Sequence, residues 1–484
     1  MGVSAVFVMA MTMIRIKLIS VIIGVVGIGI LANLNALLST LSTIFSMGIH
    51  QRSVRDIAIE YSSHDEIFLA KRTYVLKLLS FFLGLAGILI SLLFSENISI
   101  LVFDNSTQKN NIKIISIAVL FIMLNNSYKS IIQGARKIQF LAYANIWGSF
   151  LGTLIAISCF ILLGIDGIAL ALVAIAITQT LATGYFVKNL KLKSLSIKNK
   201  EKLKFAWGLL KDGGPLMLSN LIATSTTLII IILITRSLGI ESAGFYSAAF
   251  SLSVFFVSFV LTSMSSDYYP RLSSASKNKD QMNHIVNEQT EIGLHLTLPG
   301  LMICLVLAPF IVSLFYSEEF LPASQLLQWF ILGCFGRVIS WPMGFIMLAQ
   351  GKSKIYLFSE LSSSILHLGL VWYAVNSLSL VGTSLAFFLT YCFYTILMLV
   401  ISNQLTKFKW DSKILRLIAI SLTQFILLIL IVLYFNNYFG IFLIVFLISF
   451  SLLKSLKEIV TVLNYENKIL KKILDFHIIK ILIK

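Results

Sequence analysis

Long apolar runs separated by short, mostly basic joints set the pattern of this chain. A bilayer core about 30 Å thick is crossed by a helix of about 20 apolar residues. Fourteen runs near that length recur, at 2–23, 27–48, 74–94, 113–133, 140–163, 167–187, 213–235, 243–265, 292–316, 325–349, 356–376, 380–402, 414–435 and 438–456. In lipid every backbone N–H and C=O must be satisfied within the segment, so runs of this kind predict helices. The expected fold is an all-α polytopic membrane protein of about 14 transmembrane helices. The first pair of runs is the least cleanly divided, because Arg15 and Lys17 interrupt it and no polar joint separates the two. No basic n-region and no small-residue cleavage site mark a signal peptide, and none is expected.

Composition agrees with the pattern. Of 484 residues 58% are hydrophobic and 12% charged, with a mean hydropathy of +0.92. Soluble domains carry roughly 25% charged residues. A net charge of +17 would suggest nucleic acid on a soluble chain, but no soluble domain exists here to carry a basic face. Charge instead orients the bundle. Placing the N-terminus in the cytoplasm puts thirty Lys and Arg in inner joints, eight of them between Lys188 and Lys211, against Lys109, Lys113 and Arg236 outside. That asymmetry is the positive-inside signature, and an even span count leaves both termini inside. After Leu456 the tail alternates Lys with Ile and Leu, as an amphipathic helix on anionic lipid would. Cys159, Cys304, Cys334 and Cys392 lie far apart in apolar runs and read as small core residues, with no metal or disulfide spacing.

The two halves match each other at an offset near 217. Gln133–Ile138 (QGARKI) recurs as Gln350–Ile355 (QGKSKI), and Ser46-Met47 as Ser263-Met264. Gly167–Ala171 (GIALA) answers Gly382–Ala386 (GTSLA). Six spans separate equivalent helices, so the repeats run the same way and are expected to be related about the membrane normal, with a cavity between them. The organisation predicted is an N-lobe at 1–188, a basic cytoplasmic linker at 189–212, a C-lobe at 213–402, a helix pair at 403–456 and a tail at 457–484.

Two six-helix lobes with a terminal pair resemble the multidrug/oligosaccharidyl-lipid/polysaccharide (MOP) exporter superfamily, and within it the Wzx-type O-antigen/polysaccharide repeat-unit flippases. The stretches that carry the likeness are Gly29–Leu38 (GILANLNAL with its flanks), Phe45–Arg52, Gly239–Tyr246, Tyr269–Ser273 and Ala349–Ile355 leading to Glu360. The resemblance implies a flippase of the bacterial cytoplasmic (inner) membrane that moves undecaprenyl-pyrophosphate-linked oligosaccharide by alternating access. It implies no enzyme activity and no cofactor, with coupling to a proton or sodium gradient left open. The partners implied are the lipid-linked oligosaccharide, membrane lipids and polysaccharide polymerase or chain-length proteins, and no nucleic acid.

Buried charge is costly in a bilayer, so charges inside spans are the candidates for function. Arg337 sits about twelve residues from either end of its run, beside Pro342, and suits either a pyrophosphate headgroup or a structural ion pair. Arg15 and Lys17 suit the headgroup or snorkelling to the outer surface, and Arg52 and Arg55 suit headgroup entry or topology alone. Asn33, Asn35, Asn145 and Asn220 are candidates for sugar hydroxyls or for helix cross-links. Glu360 suits ion coupling or a salt bridge to Lys352 and Lys354; His367 suits ion coupling or an ordinary hydrogen-bonded core. Gly351-Lys352-Ser353 lacks the first glycine and the preceding strand of a P-loop, and Gly148-xxx-Gly152 reads as helix packing. The alternative, a cation-coupled multidrug exporter of the same superfamily, would want deep carboxylates, whereas the deep charges here are mainly basic. A membrane glycan polymerase or ligase, the less favoured alternative, would want a large outer loop with arginines, and the outer loops are small and nearly free of arginine.

Overall fold

A computed structural model describes residues 2–63, 65–190, 199–434 and 438–462. The tail from 463 onward and most of the basic 191–198 joint lie outside the described residues, so the amphipathic tail helix is not addressed by it. Every regular element described is helical: α1 (Gly2–Ser46), α2 (Ile49–Ser62), α3 (Glu66–Leu93), α4 (Ser95–Phe103), α5 (Lys109–Gly134), α6 (Ile138–Leu163), α7 (Ile168–Lys188) and α8 (Asn199–Leu238). They continue as α9 (Ile240–Ser274), α10 (Lys279–Val306), α11 (Ala308–Phe315), α12 (Ala323–Ala349), α13 (Ser353–Ser377), α14 (Ser379–Thr406), α15 (Ser412–Tyr434) and α16 (Tyr438–Val462), with two short 3-10 turns between. The all-α multi-pass fold is as the apolar runs require.

Among the described residues 11 helical segments are long and apolar enough to cross a membrane, or 12 when the bent pair Ile240–Phe255 and Val257–Ser265 counts as one. The number fourteen depends on how two long segments are divided. Phe7–Ser46 and Ile138–Lys188 each run over two of the apolar stretches. Within α1 the break is Gly24, whose φ of 62° and ψ of −166° only glycine adopts readily. With no polar joint there, a backbone kink replaces the loop.

Two compact units divide the chain: Met1–Ser247 with Ser313–Leu321, and Ala248–Val312 with Pro322–Lys484. In the first, α5 packs on α3 and α7, α6 packs on α7, and α8 lies on α1 and α2. Small residues permit these approaches. A Cβ on Gly148 would lie 3.1 Å from the Gln179 Cα, and one on Gly152 2.9 Å from the Thr178 hydroxyl, so the Gly-xxx-Gly pair seats α6 on α7. Ile49, Ile57, Leu76, Ile131 and Ile132 form one buried apolar cluster here. In the second unit α12 packs on α10 and α14, α13 on α14, and α10 also meets α15 and α16. Its core gathers Tyr268, Leu272, Met282, Met343, Ile346 and Met398, and the Tyr268 hydroxyl donates to the Pro342 carbonyl at 2.7 Å. Cys334 is buried, but Cys392 is exposed, because it sits on the outward side of α14; it is not the core residue the sequence suggests.

The repeated turns share one geometry. After α5, Ala135, Arg136 and Lys137 donate to Ile131, Gln133 and Ile132; after α12, Gln350, Gly351 and Lys352 donate to Ile346, Leu348 and Met347. Arg136 and Gly351 both take positive φ, 55° and 70°. The structural equivalence therefore pairs Arg136 with Gly351, two residues away from the Gly134–Gly351 pairing that letter matching gives. Backbone closure of the helix end, with its 6→1 bond, sets the register, and side-chain identity does not.

Candidate functional site: two polar cavities

Each unit contains a polar cavity, and the two are built from different chemistry. In the second unit α12, α13 and α14 enclose about 290 Å³ lined by Arg337, Ser340, Tyr356, Glu360, Tyr391 and Tyr394 among others. Helical spacing explains the cluster: Tyr391 and Tyr394 are three apart on α14, Tyr356 and Glu360 four apart on α13, so each pair shares a face. The Tyr394 hydroxyl donates to Glu360 Oε1, and the Tyr356 hydroxyl also bonds that carboxylate. Glu360 is thus held by two tyrosines, and no ion pair joins it to Lys352 or Lys354 among the described residues. Arg337 lines the same cavity, with no carboxylate at ion-pair distance among the described residues; its electrostatic neighbours include Tyr391, Cys334 and Glu360. The structure therefore brings the candidate headgroup cation and the candidate coupling carboxylate into one pocket.

His367 lies about two turns along α13 from Glu360. Its ring packs 5.9 Å from Phe387, and its Nε2 atom is buried without a hydrogen-bond partner among the described residues.

In the first unit the junction of α1 and α2 meets α5 and α8 around about 430 Å³. Ser46, His50, Asn126, Lys129, Gln133 and Asn220 are prominent in its lining, and only Val54 and Ala223 are apolar. The local backbone explains how the junction gets there. Met47 and Gly48 both take positive φ, 44° and 69°, which turns the chain sharply after α1. At Gly48 a Cβ would fall 1.9 Å from the Gly213 carbonyl oxygen, so the turn is pressed directly onto α8. Ser130 Oγ donates to the His50 carbonyl at 3.1 Å and to the Asn126 carbonyl at 2.8 Å, tying α2 to α5. The His50 side chain is 8% exposed, and neither ring nitrogen has a hydrogen-bond partner. Burial pushes the imidazole down to about 4, so it is neutral at physiological pH.

The remaining sequence candidates separate by their partners. Lys17 Nζ donates to the Ser313 carbonyl at 2.7 Å and to the Tyr316 carbonyl, holding the end of α11 as a cation at a helix C-terminus does. Arg15 is half-buried with no partner among the described residues. Arg52 pairs with Asp56 and Asp212, each at 3.2 Å, and Arg72 completes the group by binding Asp56 and Glu60. Burial keeps the Glu60 carboxyl above its usual range although Arg72 pulls it down. Arg55 is exposed. Buried Asn33 donates to Thr235 Oγ1 at 2.9 Å and to the Gly29 carbonyl at 3.0 Å, which makes it a cross-link between α1 and α8. Asn35 is exposed, Asn145 half-buried, and Asn220 lines the first cavity. Sequence reasoning did not single out His50, Asn126 and Gln133 as a group, nor the three tyrosines. The signal available was Gln133 closing α5 within the repeat motif, four residues after Lys129 on the same helix face.

Helices of this length around polar, charge-bearing cavities define a multi-pass membrane protein of the transporter class. The chain belongs to the polysaccharide biosynthesis protein family, whose sequence profile matches residues 11–325. It is 23% identical over 389 residues to the lipid III flippase of Escherichia coli (strain K12), covering 78% of this chain and 90% of that protein. Its fold is similar to an inward-facing multidrug resistance MATE family transporter of the MOP superfamily, with TM-score 0.67 at 14% identity, covering 83% of this chain and 94% of that one. The lipid II flippase MurJ in an inward closed conformation gives TM-score 0.65 at 17% identity, covering 94% and 97%.

Proposed function

We propose that this protein is a flippase for undecaprenyl-pyrophosphate-linked oligosaccharide, an O-antigen or related polysaccharide repeat unit, in the bacterial inner membrane. What carries the reading beyond family membership is Arg337: a guanidinium deep in an apolar helix, open to a cavity and, among the described residues, lacking a carboxylate at ion-pair distance. A cation so placed is costly unless an anion arrives, and a lipid pyrophosphate supplies one. Glu360, screened by two tyrosine hydroxyls, is the group through which a proton or sodium gradient acts in this reading. The inside-positive charge distribution supports a topology with both termini in the cytoplasm. The similarity to a lipid III flippase supports a lipid-linked sugar as cargo and transport as the activity, in place of enzyme chemistry. A polysaccharide polymerase downstream would take the flipped unit.

The test pairs two readings in the same cells. Arg337→Ala is expected to abolish surface polysaccharide while leaving protein in the membrane, and Arg337→Lys to retain part of the activity, since charge survives without the bidentate fork. Normal surface glycan in the Ala variant would refute the assignment of Arg337. Loss of the protein itself would show a structural ion-pair role.

A further inference from the structure

The cavity of the first unit is absorbed by neither the headgroup nor the coupling reading. Its walls are hydroxyls and side-chain amides, and Lys129 is the cation on them. No carboxylate lines it, and none lies at ion-pair distance from Lys129 among the described residues. Nearby Arg52 is already committed to Asp56 and Asp212. A single, strongly hydrated ammonium with neutral amides around it suits one carboxylate better than a pyrophosphate, which calls for several cations or a guanidinium fork.

Both ring nitrogens of His50 are buried out of reach of the cavity space, so the groups that can meet a ligand are Lys129 and the side-chain amides. Asn126, Gln133 and Asn220 each offer both a donor and an acceptor. A ligand that matches donor-and-acceptor groups on several sides is a polyhydroxylated ring. The volume, about 430 Å³, equals roughly fourteen waters at about 30 Å³ each, enough for one pyranose with part of its hydration.

We infer that this cavity is a subsite for an acidic sugar, a hexuronate-type residue of the cargo oligosaccharide, with Lys129 on the carboxylate and Asn126, Gln133 and Asn220 on the hydroxyls. The inference rests on the flippase reading and deepens it by naming a sugar class. It also separates the tasks: the glycan is read in the first unit, by groups other than those assigned to the pyrophosphate.

The experiment is saturation-transfer NMR on the full chain purified in detergent, with D-glucuronate, D-glucose and inorganic pyrophosphate as probes. Wild-type protein is expected to bind glucuronate at least tenfold more tightly than glucose, with pyrophosphate failing to displace it. Lys129→Gln should bring the two sugars within twofold of each other, and Lys129→Arg should keep the preference. Asn220→Asp, at an exposed position that tolerates the change, should weaken glucuronate and spare glucose. Gln133→Leu should weaken both sugars. Equal binding of the two sugars, no binding of either, an unchanged preference in Lys129→Gln, or displacement by pyrophosphate would each overturn the subsite. A failed sugar test in cells where Arg337→Ala still abolishes surface glycan would remove the subsite and leave transport standing. An intact glucuronate preference with normal surface glycan in Arg337→Ala would do the reverse.

Discussion

In the cavity of the second unit Glu360 is met by the hydroxyls of Tyr356 and Tyr394, with Arg337 across the space; in the cavity of the first, His50 is equally enclosed and meets nothing. The two differ in what deletion should cost. A buried group with partners leaves orphans behind when removed, whereas a buried group without partners leaves none, and an apolar replacement of similar shape is nearly neutral. Glu360 in the second cavity is therefore held by the fold itself, while Arg337 across from it has no carboxylate at ion-pair distance among the described residues. In the first cavity the hydroxyls of Ser42, Thr43, Ser46, Ser130 and Thr224 donate to helix carbonyls, and the Lys129 ammonium and the amides of Asn126, Gln133 and Asn220 line it beside them.

The largest expected effect tests the network. Glu360→Leu should destabilise the purified protein by about 4 kcal/mol, taking roughly 2 for each orphaned tyrosine hydroxyl, while His50→Leu should change it little. Denaturant unfolding of both variants in the same detergent decides the matter, and equal losses would erase the distinction.

Next comes pH. The folded state holds the His50 imidazole at about 4 against an ordinary 6.5, so the unfolded chain binds the proton more readily in between. Stability from this residue is complete above pH 6.5 and falls as pH drops toward 4; the full gap is worth about 3 kcal/mol. Comparing unfolding of wild type and His50→Leu across that window measures it, and a wild-type profile that matches the variant's would show the ring is solvated.

A third, smaller effect concerns the turn that puts His50 in place. Gly48→Ala forces a side chain into positive φ and against the Gly213 carbonyl, at a cost of about 2 kcal/mol. The turn carries the first cavity and not the second, so sugar binding should fall with it while Glu360→Leu and Gly48→Ala losses add, their sites sharing no partners. The smallest effect is a surface control. Arg271 pairs with Glu288 at 2.9 Å and Asp267 at 3.6 Å in a half-exposed setting, and Arg271→Ala should cost less than about 1 kcal/mol.

Arg337 and Glu360 were legible in the sequence as candidates because charge inside an apolar run stands out against its cost. Their meeting was not, since twenty-two residues and a helix reversal lie between them, and Tyr391 and Tyr394 look like ordinary aromatic residues of a span. Lys17 shows the opposite case. As a letter it resembles Arg15, yet its ammonium is spent on the carbonyls of Ser313 and Tyr316, nearly three hundred residues away. Asn33 likewise proved a cross-link to Thr235, while Asn220, an equally plain asparagine, faces a cavity.

By itself the sequence determined the solvent and the secondary structure of this protein. Apolar runs of bilayer length admit only helices where no water can satisfy the backbone, and the bias of Lys and Arg follows from the same exclusion of charge. It also carried the duplication, though letter matching placed the repeated turn two residues from where the helix-end hydrogen bonds put it. Only the tertiary structure decided which polar groups are partnered. Partnership depends on distances between helices that are remote in the chain, and a residue's identity states what it can bond but not whether a neighbour has already taken it. That is why Lys129, one basic letter among many, became the marker of a site only once the structure set it on a polar cavity with no carboxylate in its lining.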